Sequence, residues 1–184
     1  MKRALLALYL VFAALPVLAA DEPTPPRDMV VLTVSGMIGK TNRGPLDAKR
    51  DSLLAVQKID FKQAFAFDRT TLLSLPQGTV TVQPRELDKP ATFSGPLIRE
   101  VLGYLEAEQV KTTFVAVNGY SGWLDPGDIK ASDWILALSA DGVPLGIGQQ
   151  GPIWLINTRA PDFKPDESHH AHWVWAVFYI KVGE

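Results

Sequence analysis

The 184-residue chain contains no cysteine. Without a thiol it has no disulfide, no thiolate nucleophile, no Cys-ligated zinc and no cofactor held through a protein sulfur. Its stability must come from packing. Basic charge is not in excess, because 18 Lys and Arg stand against 20 Asp and Glu, for a formal net charge of −2. No basic stripe stands out, so nucleic acid and anionic membrane are not expected partners. Active-site signatures are also missing. No G-x-S-x-G elbow presents a serine, and Ser168 beside a histidine lacks a turn that would expose it. Gly146-Ile147-Gly148 follows no strand directly and opens no clear helix, which excludes a phosphate loop. There is no internal repeat, and no low-complexity tract beyond a proline-rich leader.

The beginning of the chain is informative. Lys2 and Arg3 precede the apolar run 4–18, and the small residues Ala19 and Ala20 follow it. This is the pattern of a cleavable secretory signal peptide over residues 1–20, and it implies a periplasmic protein. The run is short for a membrane span. Its removal takes two cations and no acid, leaving 16 Lys and Arg against 20 acids, a net charge of −4. Residues 21–28 (DEPTPPRD) read as a flexible leader, and residues 29–184 as a single domain large enough to bury a core.

Strand composition recurs at 29–37, 78–82, 112–117, 134–138, 153–157 and 174–182. A short helix is expected over 70–75, capped by Asp68 and stopped by Pro76. A longer one is expected to start at Ser94-Gly95-Pro96, with Ser94 or Gly95 as cap and Pro96 in its first turn. Leu97, Ile98, Val101, Leu102 and Leu105 would form its apolar face. The stretch 52–61 has weak alternation and fits neither pattern. Strands outnumber helices and no βαβ rhythm runs through the chain, so the fold class is α+β, mostly β with a few short helices.

Five tryptophans are present, and three of them fall in two stretches, GPIWLI and the closing HWVWAVFYIKV. They are either core plugs or the wall of a pocket for a flat ligand. Metal chemistry has weaker support. His170 and His172 would share one strand face near Asp166 and Glu167, but a polar turn explains the same residues, and no metal site is expected. Asp125 and Asp128 lie in a Pro-Gly segment and read as solvated turn residues.

The order of local motifs is more specific. Phe93-Ser94-Gly95-Pro96-Leu97 through Leu102 resembles the G-x-P-L helix start of the sulfite-oxidase-like molybdopterin-binding domain. After it come Asn118-Gly119-Tyr120, similar to that family's DGY turn, and residues 135–138, similar to its LA strand. Asp141-Gly142-Val143-Pro144-Leu145 resembles its D-G-x-P-L hairpin. The run 151–156 matches its G-x-P strand in part, and 175–182 resembles its terminal strand. The resemblance covers roughly residues 29–182, and it implies a mixed α+β fold with a mixed-sheet or barrel-like core.

The departures bear on function. In the enzymes of that family a cysteine upstream of the G-x-P-L motif binds molybdenum. The matching positions fall near Thr81–Gln83, and neither Thr81 nor Gln83 ionises to a soft donor at neutral pH. The arginine just beyond the G-x-P proline becomes Trp154. Counting back from Ile180, the arginine and lysine that grip the cofactor phosphate fall on His172 and Trp175. A phosphorylated molybdopterin would lose contacts that Arg and Lys supply best, which makes a molybdenum cofactor an unexpected ligand. A bare reduced pterin is flat and uncharged and suits indole faces, with Tyr120 as a further contact. Small solitary members resembling this chain include periplasmic pterin binders that regulate an inner-membrane signalling protein, often in cyclic-di-GMP control. The resemblance therefore implies an exported, non-catalytic pterin-binding sensor. The alternatives are a molybdopterin-dependent oxidoreductase and a ligand-free interaction module.

Overall fold

β1 (Val30–Gly36) lies within a mixed five-stranded sheet in the computed structural model, which describes residues 25–131, 133–157 and 173–183. It pairs antiparallel with β2 (Ala64–Asp68) and parallel with the last strand, β11 (Val177–Val182). β5 (Thr112–Ala116) and β6 (Ser121–Leu124) complete the order β2-β1-β11-β5-β6. Strand alternation explains its two faces. Leu32, Val34 and Phe114 point to the main core, while Ser35 and Tyr179 belong to the other face.

A four-stranded sheet is ordered β3-β4-β8-β9, from β3 (Gln77–Val82), β4 (Ala91–Pro96), β8 (Ser139–Ala140) and β9 (Val143–Pro144). β7 (Trp134–Ala137) and β10 (Trp154–Asn157) form a third, two-stranded sheet. The Asp141-Gly142 turn closes the β8–β9 hairpin with φ of 50° and 77°, the left-handed pair that a type I′ turn needs. The Asp141 carboxylate also accepts from the Thr92 amide at 2.8 Å. The fold is thus α+β with mixed sheets, and no closed barrel forms among the described residues.

Among the described residues, four short helices fill the edges. The stretch 52–61 supplies α1 (Ser52–Val56), whose Leu54 packs with Phe61, Ala64 and Tyr179 in a second, smaller core on the far side of the sheet. α2 (Arg69–Ser74) is capped as expected, Asp68 accepting from the Thr71 amide at 2.7 Å. α4 (Pro126–Ala131) forms where a loop was expected, with Asp128 in its first turn.

α3 (Ile98–Tyr104) corrects one expectation. Ser94, Gly95 and Pro96 do not start it. They end β4, and Leu97 is the cap residue, with no side-chain cap hydrogen bond. The extended backbone is held because Ser94 pairs with Thr79 and Ser139 and accepts from the Leu138 amide at 2.8 Å. Gly95 lets β4 cross close over β7, where any Cβ would strike the Leu136 carbonyl. The helical face itself is as expected, since Ile98, Val101 and Leu105 are buried.

Of the expected leader, residues 25–28 are described, and the Arg27 amide donates to the Asp68 carboxylate at 2.9 Å. The signal peptide lies outside the described residues. No helix among those described is long and apolar enough to cross a membrane.

Candidate functional site

Trp154 opens β10 opposite Ala137 of β7. Both strands are buried on both faces, so an indole here is enclosed from every side, and its residue is 1% exposed. Phe93, from the middle of β4, meets it edge-on with ring centroids 5.3 Å apart and planes at 76°. The alternation of Ala91, Phe93 and Gly95 that aims Phe93 inward is legible in ATFSGP, but the helix expectation over 94–96 concealed it. The Trp154 indole N–H is buried and finds no acceptor among the described residues. Such an orphan costs about 1–3 kcal/mol, so it asks for a partner.

Trp175 is half-buried in the bend just before β11, against the main core. Its segment runs beside β10: the Leu155 amide donates to the Val174 carbonyl at 2.8 Å, and the Val177 amide to that of Ile153 at 2.9 Å. Ala176 takes φ of 54°, turning the chain between the two. Tyr120 joins from the other side. The Ala116 amide donates to the Tyr120 carbonyl at 2.8 Å, and the Val117 amide to the Ala176 carbonyl at 2.9 Å. Tyr120 itself is 47% exposed. Backbone hydrogen bonds thus set the segment carrying Trp175 beside the strand of Trp154, and the turn carrying Tyr120 bonds to that same segment at Ala176, with the Trp154 side chain enclosed and Tyr120 exposed.

Thr81 and Gln83 are not part of that arrangement. Both are exposed on β3 and just beyond it, while Val80 and Val82 take the inward positions opposite Phe93 and Ala91. The Thr81 hydroxyl pairs with that of Thr92 at 2.9 Å, and the Gln83 amide donates to the Leu87 carbonyl at 3.3 Å. These neutral oxygens and nitrogens do not fit a molybdenum centre, and with no thiolate in the chain no chemistry is routed through one. His172, with His169 and His170, lies outside the described residues.

The other tryptophans divide. Trp134 is buried and its N–H also lacks an acceptor among the described residues. Trp173 is buried as well. Trp123 is 44% exposed on β6, where the Lys111 ammonium sits 5.0 Å from its ring centre. Two acidic groups are shifted. Hydrogen bonds from Thr71, opposed by burial and helped by the Arg27 and Asp28 amides, hold the Asp68 carboxyl below its ordinary 3.8. Burial raises the Tyr179 phenol above 10.0, against the 2.5 Å hydrogen bond with Ser35 and with a smaller push from Asp60.

No protein-family model matches the sequence, and no curated protein matches it. Among solved structures the fold resembles the sulfane dehydrogenase SoxCD from Paracoccus pantotrophus, with a TM-score of 0.53 and 14% identity. The likeness covers 82% of this chain and 37% of that one, so this chain spans well under half of that protein's length. At such identity the likeness concerns the fold alone. At that level it agrees with the sulfite-oxidase-like resemblance of the sequence motifs.

Proposed function

We propose that this protein is an exported, non-catalytic pterin-binding protein, a periplasmic ligand sensor that regulates an inner-membrane signalling partner. The observation that carries the ligand half of this reading is the buried Trp154 N–H without an acceptor among the described residues, beside backbone segments that bear Trp175 and Tyr120. A pterin ring offers carbonyl and ring-nitrogen acceptors at its edge and a flat face for an indole. Each aromatic pair adds about 0.5–1.5 kcal/mol beyond burial, and with buried ring area this supports micromolar affinity, roughly −8 kcal/mol. The absence of a thiolate supports the non-catalytic half. Export rests on the leader sequence and the signalling partner on the family resemblance.

Trp154→Phe tests the reading, because it keeps a ring and deletes only the N–H and part of the volume. Calorimetric titration with a tetrahydropterin should show affinity weakened about 5- to 150-fold, the equivalent of ~1–3 kcal/mol. Unchanged affinity would remove Trp154 from the site. Elemental analysis of protein taken from its native compartment should find no stoichiometric molybdenum; one molybdenum per chain would contradict the non-catalytic reading.

One observation favours a second reading, a ligand-free interaction module. Trp154 is 1% exposed, so a ligand must displace packed side chains to reach it. A parent protein with no pterin affinity below about a millimolar, ~4 kcal/mol, would select that reading.

A further inference from the structure

The outer face of the five-stranded sheet carries an arrangement that the pterin reading does not use. Strand register sets Ser35, Lys181, Thr113 and Trp123 in one row across β1, β11, β5 and β6. Lys111 stands two residues before Thr113, on the same face by alternation. Its ammonium is steered toward the Trp123 ring. The turn after α1 brings Lys58 and Asp60 over this face, and Lys58 is held at φ of 58°, a left-handed conformation uncommon for a side chain of its size. Together Lys58, Asp60, Lys111, Thr113, Tyr179 and Lys181 line a hollow of about 240 Å³. Among the described residues three ammonium groups stand against one carboxylate at the hollow, in a protein that is acidic as a whole. None of the three lysines makes an ion pair among the described residues.

We propose that this hollow binds a phosphate group, of a soluble ester or of a lipid headgroup. One feature supports phosphate over carboxylate, and two more support a formed anion site. The cations are point charges on flexible stems, which surround a tetrahedral dianion, whereas a planar carboxylate is best gripped by an arginine fork, and no arginine lines the hollow among the described residues. The Thr113 hydroxyl adds a neutral donor to the lysines. Packing beneath the hollow is firm, because Tyr179 is 2% exposed and tied to Ser35. The site lies on the opposite face of the sheet from the core that contains Trp154, so it stands whether or not a pterin binds there.

Inorganic pyrophosphate titrated into the intact protein, followed by nitrogen–proton correlation spectra, tests the proposal. The amides of Lys58, Thr113 and Lys181 should move saturably, and added salt should weaken the effect. Lys111→Gln with Lys181→Gln should reduce affinity about tenfold or more. Lys58→Gly separates binding from folding: it relieves the left-handed backbone and should hold or raise the melting temperature while weakening pyrophosphate. A parallel arm uses vesicles of phosphatidylcholine with and without phosphatidylglycerol. Lysine-dependent binding to the anionic vesicles would make the phosphate a lipid headgroup, and binding to pyrophosphate alone would make it a soluble ester. No saturable binding in either arm, or affinities that the lysine variants leave unchanged, would overturn the proposal.

Discussion

Trp154 packs in the core against Phe93, and its substitutions separate that packing from the proposed contact with a ligand. As a core side chain on Phe93 it contributes packing, so Trp154→Ala should cost about 3–5 kcal/mol of stability, read from urea unfolding. Of the two sequence alternatives, core plug and pocket wall, this burial agrees with the first. Both strands beside it are buried on both faces, and that closure is a property of the sheets. Asp68 is a second residue whose work is legible. Its hydrogen bonds favour the carboxylate, so its folded value lies below the ordinary 3.8. A depressed carboxyl adds stability that is fully present above the unfolded value and disappears as pH falls through the folded one. Asp68→Asn keeps a capping oxygen but does not titrate. Unfolding at about neutral pH should show a small loss, about 0.5–2 kcal/mol, and this difference from the parent should shrink on acidification below pH 3.8. A difference that grows on acidification would contradict the assignment.

Among the elements, two glycines of one neighbourhood should behave oppositely. Gly95 ends β4 where it crosses β7, and an added Cβ there meets Leu136 backbone that cannot step aside. Gly95→Ala should therefore destabilise by about 1–3 kcal/mol or more. Gly103 lies inside α3 with open space around its Cβ direction. Gly103→Ala should stabilise by about 0.5–1 kcal/mol, and paired melting curves check both. The strands around 30–36, 77–82, 112–116 and 134–137 and the Asp68 cap were readable, because alternation and capping are local signals. β4 was not, because a serine, glycine and proline before an apolar face also describe a helix start, and only pairing with β3 and β8 decides for the strand. α1 was missed because a single buried residue, Leu54, gives no helical period.

For the molecule as a whole, sequence motifs in order and the fold likeness to SoxCD agree on architecture. The candidate site was legible only in part. Trp154, Trp175 and Tyr120 come from distant segments linked by backbone hydrogen bonds, whereas Thr81 and Gln83 point outward because strand parity gives the inward places to Val80 and Val82. Parity follows from pairing register, which a single unpaired stretch of sequence does not fix. The fold thus encloses Trp154 against Phe93, with an indole N–H that finds no acceptor among the described residues. If this interior serves a pterin, calorimetric titration of a tetrahydropterin into the parent protein shows one saturable site with a dissociation constant in the micromolar range, roughly −8 kcal/mol. Heats indistinguishable from dilution up to about a millimolar, roughly −4 kcal/mol, would contradict it.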